Sequence, residues 1–398
     1  MTNQEIAALA AEHIMPTYAP PPIAFVRGEG SWLFDADGKR YLDFVAGIAV
    51  CGVGHAHPRL AAAICEQAGR IMHTSNLFVI EPQARLAERL AGLSFADRCF
   101  VCNSGAEANE AAIKLVRKWA LRHLAEGQRT IVTAEKSFHG RTLTTVTATG
   151  QEKYQKAFKP LPPGFRYVPF ADIEALRAAV DDTVCAVMLE PIQGEGGINV
   201  PPADYLPAVR ELCDERGILL IFDEVQTGVA RTGTWWGYQQ FGVVPDIMTL
   251  AKSLGGGFPI GACLAAGEVA TTFEPGDHAS TFGGNHLACA AALATLAIIE
   301  DEDLLGNAKR MGERLVASFT ELAQTSAAVD HIRGRGLLLG VQLTGEIARA
   351  LAAGCLERGL VINAVAPDVL RLAPPLTISA DECDQAVATI GAVLAELA

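Results

Sequence analysis

The sequence has no apolar run of about 18 residues, the length that a membrane-spanning helix needs. Its first residues, MTNQEIAALA, lack the basic stretch and the following apolar segment of a secretory signal. Charged residues make up only 19% of the chain and form no long block of one sign. These absences argue against a membrane protein and predict one that stays in the cytoplasm.

The 10 cysteines are not spaced as a disulfide framework, which is typical of a protein from a reducing compartment. Cys99 and Cys102 form a C-x-x-C pair, but their odd separation within a strand directs them to opposite faces. His55 and His57 lack an HExxH motif or a matching set of Cys and His partners, so a turn is expected there. We therefore predict no metal site.

The net charge is −13, from 32 Lys and Arg against 45 Asp and Glu. This balance argues against nucleic acid and anionic membranes as partners. Hydrophobic residues make up 50% of the chain and glycines number 38, a composition typical of a compact α/β enzyme. If the substrates are anions, a few well-placed arginines have to bind them against the overall charge.

Short apolar runs alternate with helical patterns through the middle of the chain. Thr130–Thr133, Val184–Leu189 and Ile218–Phe222 are such runs, and each is followed by a helical pattern or a polar turn. This alternation predicts an α/β fold whose central sheet is mostly parallel and carries helices on both faces. We assign residues 56–295 to this large domain.

The two ends of the chain are expected to belong together. Asp37-Gly38, between apolar runs, is a strong hairpin signal within the N-terminal segment 1–55. After the large domain, helical patterns and strand patterns mix over residues 296–398. We predict that this C-terminal region forms a smaller α+β domain and that the N-terminal segment packs with it.

Two apolar runs, each predicted to be a strand, are each followed closely by one ionisable residue. Asp223 follows Ile218–Phe222, and Lys252 follows Ile247–Leu250 at a short distance. Because the carboxyl ends of parallel strands meet at one edge of a sheet, both side chains are expected to face the same crevice. A partly dehydrated lysine has a lowered pKa and can form a Schiff base with an aldehyde. For Lys252 alone, a solvated lysine beside a flexible glycine loop is the more common explanation, and the rest of the chain has to decide.

Small residues join the strand pattern Phe100–Cys102 to a helical pattern. Ser104, Gly105 and Ala106 stand where that helix is expected to begin. A helix start after a turn of small residues binds anions, because its N–H groups and its dipole both point outward. Ser104 and Glu107 also fit a capping box, and the two roles are compatible.

A second turn of this kind precedes a long alanine-rich helical pattern. Ser280 and Thr281 stand there beside Gly283 and Gly284. Hydroxyl groups and glycine N–H groups in one turn form a candidate phosphate-binding nest. The sequence thus contains two candidate phosphate sites.

Seven stretches, in this order, resemble the motifs of class III, pyridoxal-phosphate-dependent aminotransferases of fold type I: NSGAEANEAAIK, SFHGRT, EPIQGEGG, FDEVQTGVARTG, LAKSLGGGFPIGA, STFGGN and VLRLAPP. Any one of them is weak, but seven in register are specific, and they span nearly all of the chain. The resemblance implies the fold type I architecture, pyridoxal 5′-phosphate as cofactor and aminotransferase activity. GIAVCGVGHAHP, HTSNLF and GEGG most resemble the acetylornithine aminotransferase group, whose relatives also accept succinylated diamines.

The resemblance implies a role for each matching residue around the cofactor. Lys252 would form the covalent Schiff base and then move a proton between the two reacting carbons, a contribution of about 100- to 10,000-fold in rate. Asp223 would keep the pyridine nitrogen protonated, so that the ring accepts electrons. The other implied contacts are Gln226 at the ring hydroxyl, Phe138 and Val225 on the two ring faces, and Ser104, Gly105 and Ala106 at the phosphate.

For the substrates, the resemblance implies that Arg141 and Arg371 each bind a carboxylate. Glu195 would pair with Arg371 and swing away when 2-oxoglutarate enters, and Ser280 would also contact substrate. Thr281 would reach the cofactor phosphate of the neighbouring subunit, which implies a homodimer with shared active sites. Without the resemblance, surface solubility explains Arg141 and an exposed glycine turn explains Glu195.

The expected reaction moves the δ-amino group of N2-acetylornithine to 2-oxoglutarate by a ping-pong mechanism, giving N-acetylglutamate 5-semialdehyde and glutamate, as in arginine biosynthesis. Succinylornithine, succinyldiaminopimelate, ornithine and 4-aminobutyrate remain alternative amine donors. Outside catalysis, the same fold could serve as a cofactor-binding regulatory dimer. The presence of Lys252, Asp223 and both arginines argues against that alternative, because binding alone does not need them all.

Overall fold

The computed structural model describes residues 1–397 and contains three sheets. Their strands are β1 Phe25–Glu29, β2 Trp32–Asp35, β3 Arg40–Asp43, β4 Arg98–Cys102, β5 Thr130–Ala134, β6 Phe165–Val168, β7 Val184–Leu189, β8 Leu219–Asp223, β9 Ile247–Leu250, β10 Gly261–Ala265, β11 Val329–Arg335, β12 Leu338–Leu343, β13 Leu360–Val361, β14 Asn363–Ala366 and β15 Val369–Leu372.

Helices connect these strands and cover the sheets. They are α1 Asn3–His13, α2 Ala46–Ala49, α3 Pro58–Arg70, α4 Glu81–Leu93, α5 Gly105–His123, α6 Leu143–Ala148, α7 Glu152–Gln155, α8 Ile173–Ala179, α9 Tyr205–Arg216, α10 His286–Asp301, α11 Leu304–Thr325, α12 Ala348–Glu357 and α13 Ala380–Leu397. Short 3-10 turns occur at Lys156–Phe158, Gly237–Gln240, Lys252–Gly255 and Val269–Thr271.

The central sheet has seven strands in the order β4-β10-β9-β8-β7-β5-β6. Strands β9, β8, β7, β5 and β6 run parallel to their neighbours in this group. Strand β10 is antiparallel to both β4 and β9. The mostly parallel sheet predicted from the alternation of patterns is confirmed, with one antiparallel strand near its edge.

The middle strands are apolar throughout because both faces of the sheet are covered. Every residue of β7, β8 and β9 is buried. Along β8, Leu220 and Phe222 join one apolar cluster, whereas Leu219 and Ile221 join another. Helix α5 belongs to the second cluster, and helices α4, α9 and α10 belong to the first. A strand between two cores has no polar face, which is why these runs lack alternation.

The C-terminal sheet has the order β11-β12-β15-β14 and is antiparallel throughout. A third sheet combines the N-terminal hairpin β2–β3, which turns at Asp37-Gly38, with strand β13 from the C-terminal region. Strand β3 therefore pairs with residues that are distant in sequence. The domain limit at residue 295 lies inside helix α10, and the division of the chain into domains stays a prediction.

Arg231 joins the large sheet region to the C-terminal sheet. Its side chain is fully buried, and Nη1 donates to the carbonyl oxygens of Leu337 and Pro374 at 3.1 and 2.5 Å. The Leu337 N–H donates in return to the Arg231 carbonyl at 2.9 Å. Gly336, with φ of +52°, lies so close that a Cβ there would come within 2.5 Å of the Thr232 backbone. The turn between β11 and β12 thus packs directly against the backbone of residues 231–232.

Within residues 1–397, no helix is both long enough and apolar enough to cross a membrane. Helix α10 is the most apolar of the long helices, with Leu296, Ile298 and Ile299 fully buried in the core. Its apolar character is therefore explained by burial inside the protein.

Helix α11 packs against the β11–β12 turn through a glycine. A Cβ at Gly312 would lie 2.2 Å from the carbonyl oxygen of Gly336, so Gly312→Ala has to push the helix away from the turn. We expect a loss of about 2–3 kcal/mol in the free energy of unfolding, measured by urea denaturation. Gly69→Ala in α3 is the matched control, because a Cβ there has no heavy atom within 4 Å among residues 1–397 apart from the adjoining residues and backbone of its own helix. That variant should gain about 0.5–1 kcal/mol, and equal effects at both sites would contradict the packing argument.

Candidate active site

A pocket of about 400 Å³ opens at the carboxyl ends of the central strands. Asp223 ends β8 and pairs in register with Thr249 of β9, three residues before Lys252. Among the residues that line the pocket are Ser104, Gly105, Ala106, Phe138, Arg141, Glu190, Glu195, Asp223, Val225, Gln226 and Lys252. The structure therefore places most of the residues singled out from the sequence in one crevice.

The Asp223 carboxylate is buried and fixed by three donors. Oδ2 accepts hydrogen bonds from Asn109 Nδ2 and His139 Nδ1, both at 2.8 Å, and Oδ1 accepts from the Val225 N–H at 3.0 Å. Burial lowers the pKa of His139, but the hydrogen bond to Asp223 outweighs it and raises that pKa above its ordinary value. His139 and Asn109 thus hold the Asp223 carboxylate as a fixed acceptor at the pocket, where it can accept a hydrogen bond from a protonated ring nitrogen of a ligand.

Lys252 begins a 3-10 turn directly after β9, with φ of +43°. Burial lowers the pKa of its ammonium group to about 8, and the Arg371 charge acts in the same direction. The carboxylates of Glu195 and Asp223 oppose this effect. A lysine with such a pKa has a substantial neutral fraction near neutral pH, as a nucleophile or proton carrier requires.

Helix α5 begins at the pocket and presents its first turn to it. Ser104 is the N-cap residue, and its hydroxyl accepts from the Glu107 N–H at 3.2 Å. The Glu107 carboxylate does not return to Ser104, as a full capping box would require. It accepts instead from the backbone N–H and the side-chain amide of Asn103, at 2.6 and 2.8 Å. The N–H groups of Gly105 and Ala106 lie in the first turn, where they have no partner within the helix, and so form an anion site.

Two glycines bring the backbone close to pocket side chains. A Cβ at Gly105 would lie 2.8 Å from Val225 Cγ1, and one at Gly194 would lie 2.3 Å from Gln226 Oε1. In each case a larger residue would displace a side chain that lines the pocket. The cradle around Val225 and Gln226 therefore depends on glycine at both positions.

Arg371, in strand β15, does not line the pocket itself, but it forms an ion pair with Glu195, which does. Arg371 is only 2% exposed, and it also donates to Asn363 Oδ1 at 2.9 Å and to Gln226 Oε1 at 3.2 Å. Burial would raise the pKa of Glu195, but the Arg371 and Lys252 charges outweigh it and lower that pKa. Glu195 is thus an ionised residue paired with Arg371, not an exposed residue in a glycine turn.

Arg141 lies at the more exposed side of the pocket. Its guanidinium carbon is 3.9 Å from the centroid of the Tyr154 ring and 5.5 Å from that of the Phe138 ring. Phe138 and Tyr154 themselves meet edge to face, with centroids 5.9 Å apart. Two aromatic rings therefore hold this guanidinium.

Several residues of the pocket were not assigned a role from the sequence. Asn109 and His139 hold Asp223, and Thr249 in turn donates to Asn109 Oδ1 at 2.7 Å. The signal for Asn109 was its place one turn into the anion-binding helix, and that for His139 was its place inside SFHGRT.

Glu190 is a further pocket residue without a role assigned from the sequence. It directly follows β7, next to the strand that carries Asp223. Its carboxylate accepts from the N–H groups of Phe138 and Gly194, at 3.1 and 3.2 Å. Burial raises the pKa of Glu190 to about 7, against the lowering effect of His139. Glu190 therefore ties the Phe138 wall of the pocket to the turn that carries Glu195.

Ser280 and Thr281 do not line the pocket of their own chain. The Ser280 hydroxyl accepts from Asn103 Nδ2 and from the Gly283 N–H, both at 3.0 Å. Thr281 is exposed, and so is its neighbour Phe282. The roles of Ser280 at the substrate and of Thr281 at a neighbouring subunit stay predictions.

Within residues 1–397, no group of three or more His, Cys, Asp or Glu side chains is arranged to hold a metal ion. His55 Nε2 lies 2.7 Å from Asp43, and His57 Nε2 lies 3.2 Å from Glu302. Each histidine thus has a carboxylate partner of its own, and the two contacts belong to different parts of the chain.

The fold and this site define a class of enzyme. The sequence profile of the family described as Aminotransferase class-III matches residues 14–394, and the chain therefore belongs to the class-III aminotransferases. The acetylornithine aminotransferase of Gloeobacter violaceus is 52% identical over 387 residues, which cover 97% of this chain and 96% of that protein. The acetylornithine aminotransferase of Methanothermobacter thermautotrophicus is 49% identical over 397 residues, 100% of both chains.

Solved structures agree with this family. The crystal structure of the ornithine aminotransferase from Toxoplasma gondii matches with a TM-score of 0.96 at 34% identity, over 100% of this chain and 96% of that one. The fold is therefore that of fold type I pyridoxal-phosphate-dependent enzymes, as the sequence predicted. Membership of this family implies pyridoxal 5′-phosphate as the cofactor.

The residues of the pocket fit that cofactor. The pocket combines a buried carboxylate for a ring nitrogen, a lysine amine for an aldehyde and a helix start for a phosphate, at Asp223, Lys252 and Gly105 respectively. Gly105 leaves room that a Cβ would close against Val225. The donor set thus matches three polar parts of pyridoxal phosphate, and Gln226 in the same lining can meet the fourth, the ring hydroxyl.

Lys252 in the cofactor-free protein should form a Schiff base with pyridoxal at a rate that rises with pH and levels off above about pH 8. Only the neutral amine attacks an aldehyde, and burial lowers this pKa from 10.5 to about 8. Borohydride trapping at a series of pH values, followed by peptide mass spectrometry, measures the profile, and Lys252→Ala should remove the pocket adduct. Exposed lysines, with a pKa of about 10.4, serve as the internal reference. If the pH midpoint of trapping at Lys252 lay near that of the exposed lysines, the lowering of its pKa by burial would be contradicted.

Proposed function

We propose that this enzyme moves the δ-amino group of N2-acetylornithine to 2-oxoglutarate, giving N-acetylglutamate 5-semialdehyde and glutamate, a reaction of arginine biosynthesis. The observation that carries the proposal is the ion pair between Arg371 and Glu195 in the pocket with Lys252. Acetylornithine aminotransferases at 52% and 49% identity over nearly the full length support it.

The ion pair suits two substrates that differ at the reacting carbon. In 2-oxoglutarate that carbon carries a carboxylate, whereas the δ-carbon of acetylornithine carries none. A buried arginine left without a partner would cost about 3–5 kcal/mol. Glu195 supplies the partner when acetylornithine is bound, and the α-carboxylate of 2-oxoglutarate replaces Glu195 when it enters. One site thereby accepts both substrates.

Arg141 provides the second carboxylate contact. Acetylornithine and 2-oxoglutarate both have a carboxylate at the end remote from the reacting carbon. A guanidinium held on aromatic rings keeps its N–H edge available for bidentate binding of such a group. Arg141 therefore serves both half-reactions, whereas Arg371 binds a substrate carboxylate in only one.

Pyridoxal phosphate, when bound, supplies an aldehyde that takes up the amino group and a ring that accepts electrons. Asp223, fixed by His139 and Asn109, would accept a hydrogen bond from the protonated ring nitrogen. The first turn of α5, with Ser104, would bind the phosphate, and Gln226 would bind the ring hydroxyl. Lys252 Nζ would carry a proton between the reacting carbon of the substrate and the former aldehyde carbon of the cofactor, which lie on either side of the transferred nitrogen.

We also propose a homodimer with shared sites. Two segments form an apolar surface near the pocket: residues 71–79 and residues 279–285, which are joined by a hydrogen bond of 2.8 Å from Asn76 Nδ2 to the Gly283 carbonyl. Leu77, Phe78 and Val79 are 86%, 69% and 93% exposed in the single chain, which is unusual for neighbouring large apolar residues. A second copy would cover them and bring Thr281 to its site. The cysteines are free, which supports the cytoplasm as the compartment.

The donor panel that tests the proposal contains acetylornithine, succinylornithine, succinyldiaminopimelate, ornithine and 4-aminobutyrate, each with 2-oxoglutarate. Acetylornithine should give the highest kcat/KM, measured as glutamate formed. The structural likeness to an ornithine aminotransferase makes ornithine the competing donor. A higher kcat/KM for ornithine than for acetylornithine would overturn the proposed substrate and leave the aminotransferase class intact.

Glu195→Gln should slow the half-reaction of the cofactor-loaded enzyme with acetylornithine by about 10- to 100-fold, or about 1.4–3 kcal/mol. The neutral amide no longer balances the Arg371 charge in that half-reaction. The reaction with glutamate should be spared or accelerated, because the α-carboxylate of glutamate pairs with Arg371. Single-turnover absorbance changes with each donor measure the two rates. Glu135→Gln, at an exposed glutamate, is the control, and equal losses with both donors would rule out the exchange of partners.

Thr281→Ala should weaken cofactor retention, because the hydroxyl is expected at the phosphate of the partner subunit. Lys252→Ala should be inactive. Once subunits have exchanged between the two variants, mixed dimers contain one intact site, since Lys252 and Thr281 of that site come from different chains. Activity and bound cofactor of the mixture should therefore exceed the sum of the separate variants. Strict additivity after proven exchange would show that the sites are not shared.

A further inference from the structure

Tyr154 holds the Arg141 guanidinium without belonging to any motif that the family resemblance uses. The guanidinium carbon lies 3.9 Å from the Tyr154 ring centroid, which is a close cation–π contact. Phe138 approaches the same guanidinium at 5.5 Å and meets Tyr154 edge to face at an interplanar angle of 86°. The Arg141 guanidinium thus packs mainly against the Tyr154 ring, and Tyr154 packs against Phe138, which lines the pocket.

Arg141 is not paired with a carboxylate in the described part of the chain. Among residues 1–397, no acidic side chain lies within 4.0 Å of its guanidinium nitrogens. In contrast, Arg371 is paired with Glu195 and is also bonded to Asn363 and Gln226. Arg371 is therefore held by a carboxylate and amides, whereas Arg141, which lines the pocket, is held by aromatic rings.

We propose that Tyr154 is a positioning residue for substrate binding, which fixes the Arg141 guanidinium by its face and leaves the N–H edge to the remote carboxylate of the substrate. An arginine side chain has four rotatable bonds, and an unsupported one would lose much of its freedom when a ligand binds. Stacking restricts that freedom beforehand. An acidic partner would also restrict it, but would have to be displaced by each substrate.

This assignment rests on the proposed function in one respect, the use of Arg141 by both substrates. Because both carry the remote carboxylate, Tyr154 should affect them equally. Glu195 should affect them unequally, since only one of them carries a carboxylate at the reacting carbon. The two residues are thus separable by the pattern of their effects.

The decisive comparison is Tyr154→Leu against Tyr154→Phe in the cofactor-loaded enzyme. Leucine removes the ring, and we expect KM to rise about three- to tenfold for acetylornithine, glutamate and 2-oxoglutarate alike, with kcat changed less than about twofold. Phenylalanine keeps the ring, so KM should stay near the parent value. Cofactor absorbance and thermal midpoint should be unchanged in both variants. A rise for one substrate only, or a failure of phenylalanine to preserve KM, would overturn the assignment.

A binding measurement and a double-mutant cycle distinguish positioning from a general structural effect. Glutarate, a five-carbon dicarboxylate without a reacting group, should show a similarly raised Kd with Tyr154→Leu, measured by titrating the cofactor absorbance. In an Arg141→Ala background, Tyr154→Leu should cause no further loss, because the group it positions is absent. An equal loss in that background would mean that Tyr154 acts on the pocket wall through Phe138. If acetylornithine fails as a donor of the parent enzyme, the proposed function falls, while glutamate and glutarate still test Tyr154.

Discussion

The buried charge of Arg371 is the constraint on which the site depends. At 2% exposure this guanidinium has little access to water, and apart from Glu195 it has only the amide acceptors of Asn363 and Gln226, so its charge needs a carboxylate for full compensation. Glu195 meets that need, and the turn that carries Glu195 is seated against Gln226, where Gly194 has no room for a side chain. Glu190 holds the same turn through the Gly194 N–H. The Gln226 and Glu190 contacts on this side of the pocket therefore hold the Glu195 turn beside Arg371, as the proposed exchange of carboxylates requires.

The parts of the site that the sequence reveals are those that lie at the ends of apolar strands. Asp223 and Lys252 follow unbroken apolar runs, and such runs are strands buried on both faces, whose ends meet at one edge. Arg371 is visible for a related reason, because a charge between Val369-Leu370 and Leu372 has to be buried. The pattern of the chain thus indicates the sheet, its mostly parallel order and the two charged groups at its edge, Asp223 and Lys252, together with the buried Arg371 of the C-terminal sheet.

The side chains that hold the charged residues of the site in place could not be predicted from the sequence pattern. Asn109 reaches Asp223 across 114 residues of sequence, and only the rotation of helix α5 against β8 brings them together. Tyr154 contacts Arg141 because a loop and the short helix α7 fold back over SFHGRT. The periodicity of apolar residues does not predict this contact. The division of the chain at residue 295 shows the same limit, since helix α10 runs through it. Sequence patterns report burial along an element better than contacts between elements.

Arg231 has a consequence for how the enzyme can open. Its buried guanidinium donates hydrogen bonds to the carbonyl oxygens of Leu337 and Pro374, and Pro374 lies three residues beyond Arg371. Burial lowers the pKa of Arg231 to about 10, yet the group stays charged at neutral pH. A rotation of the C-terminal sheet away from the large sheet would break both hydrogen bonds and leave the Arg231 charge without acceptors until water reached it. Substrate exchange by a movement of the Glu195 side chain alone, as proposed above, would leave the hydrogen bonds of Arg231 and the packing of the two sheets intact.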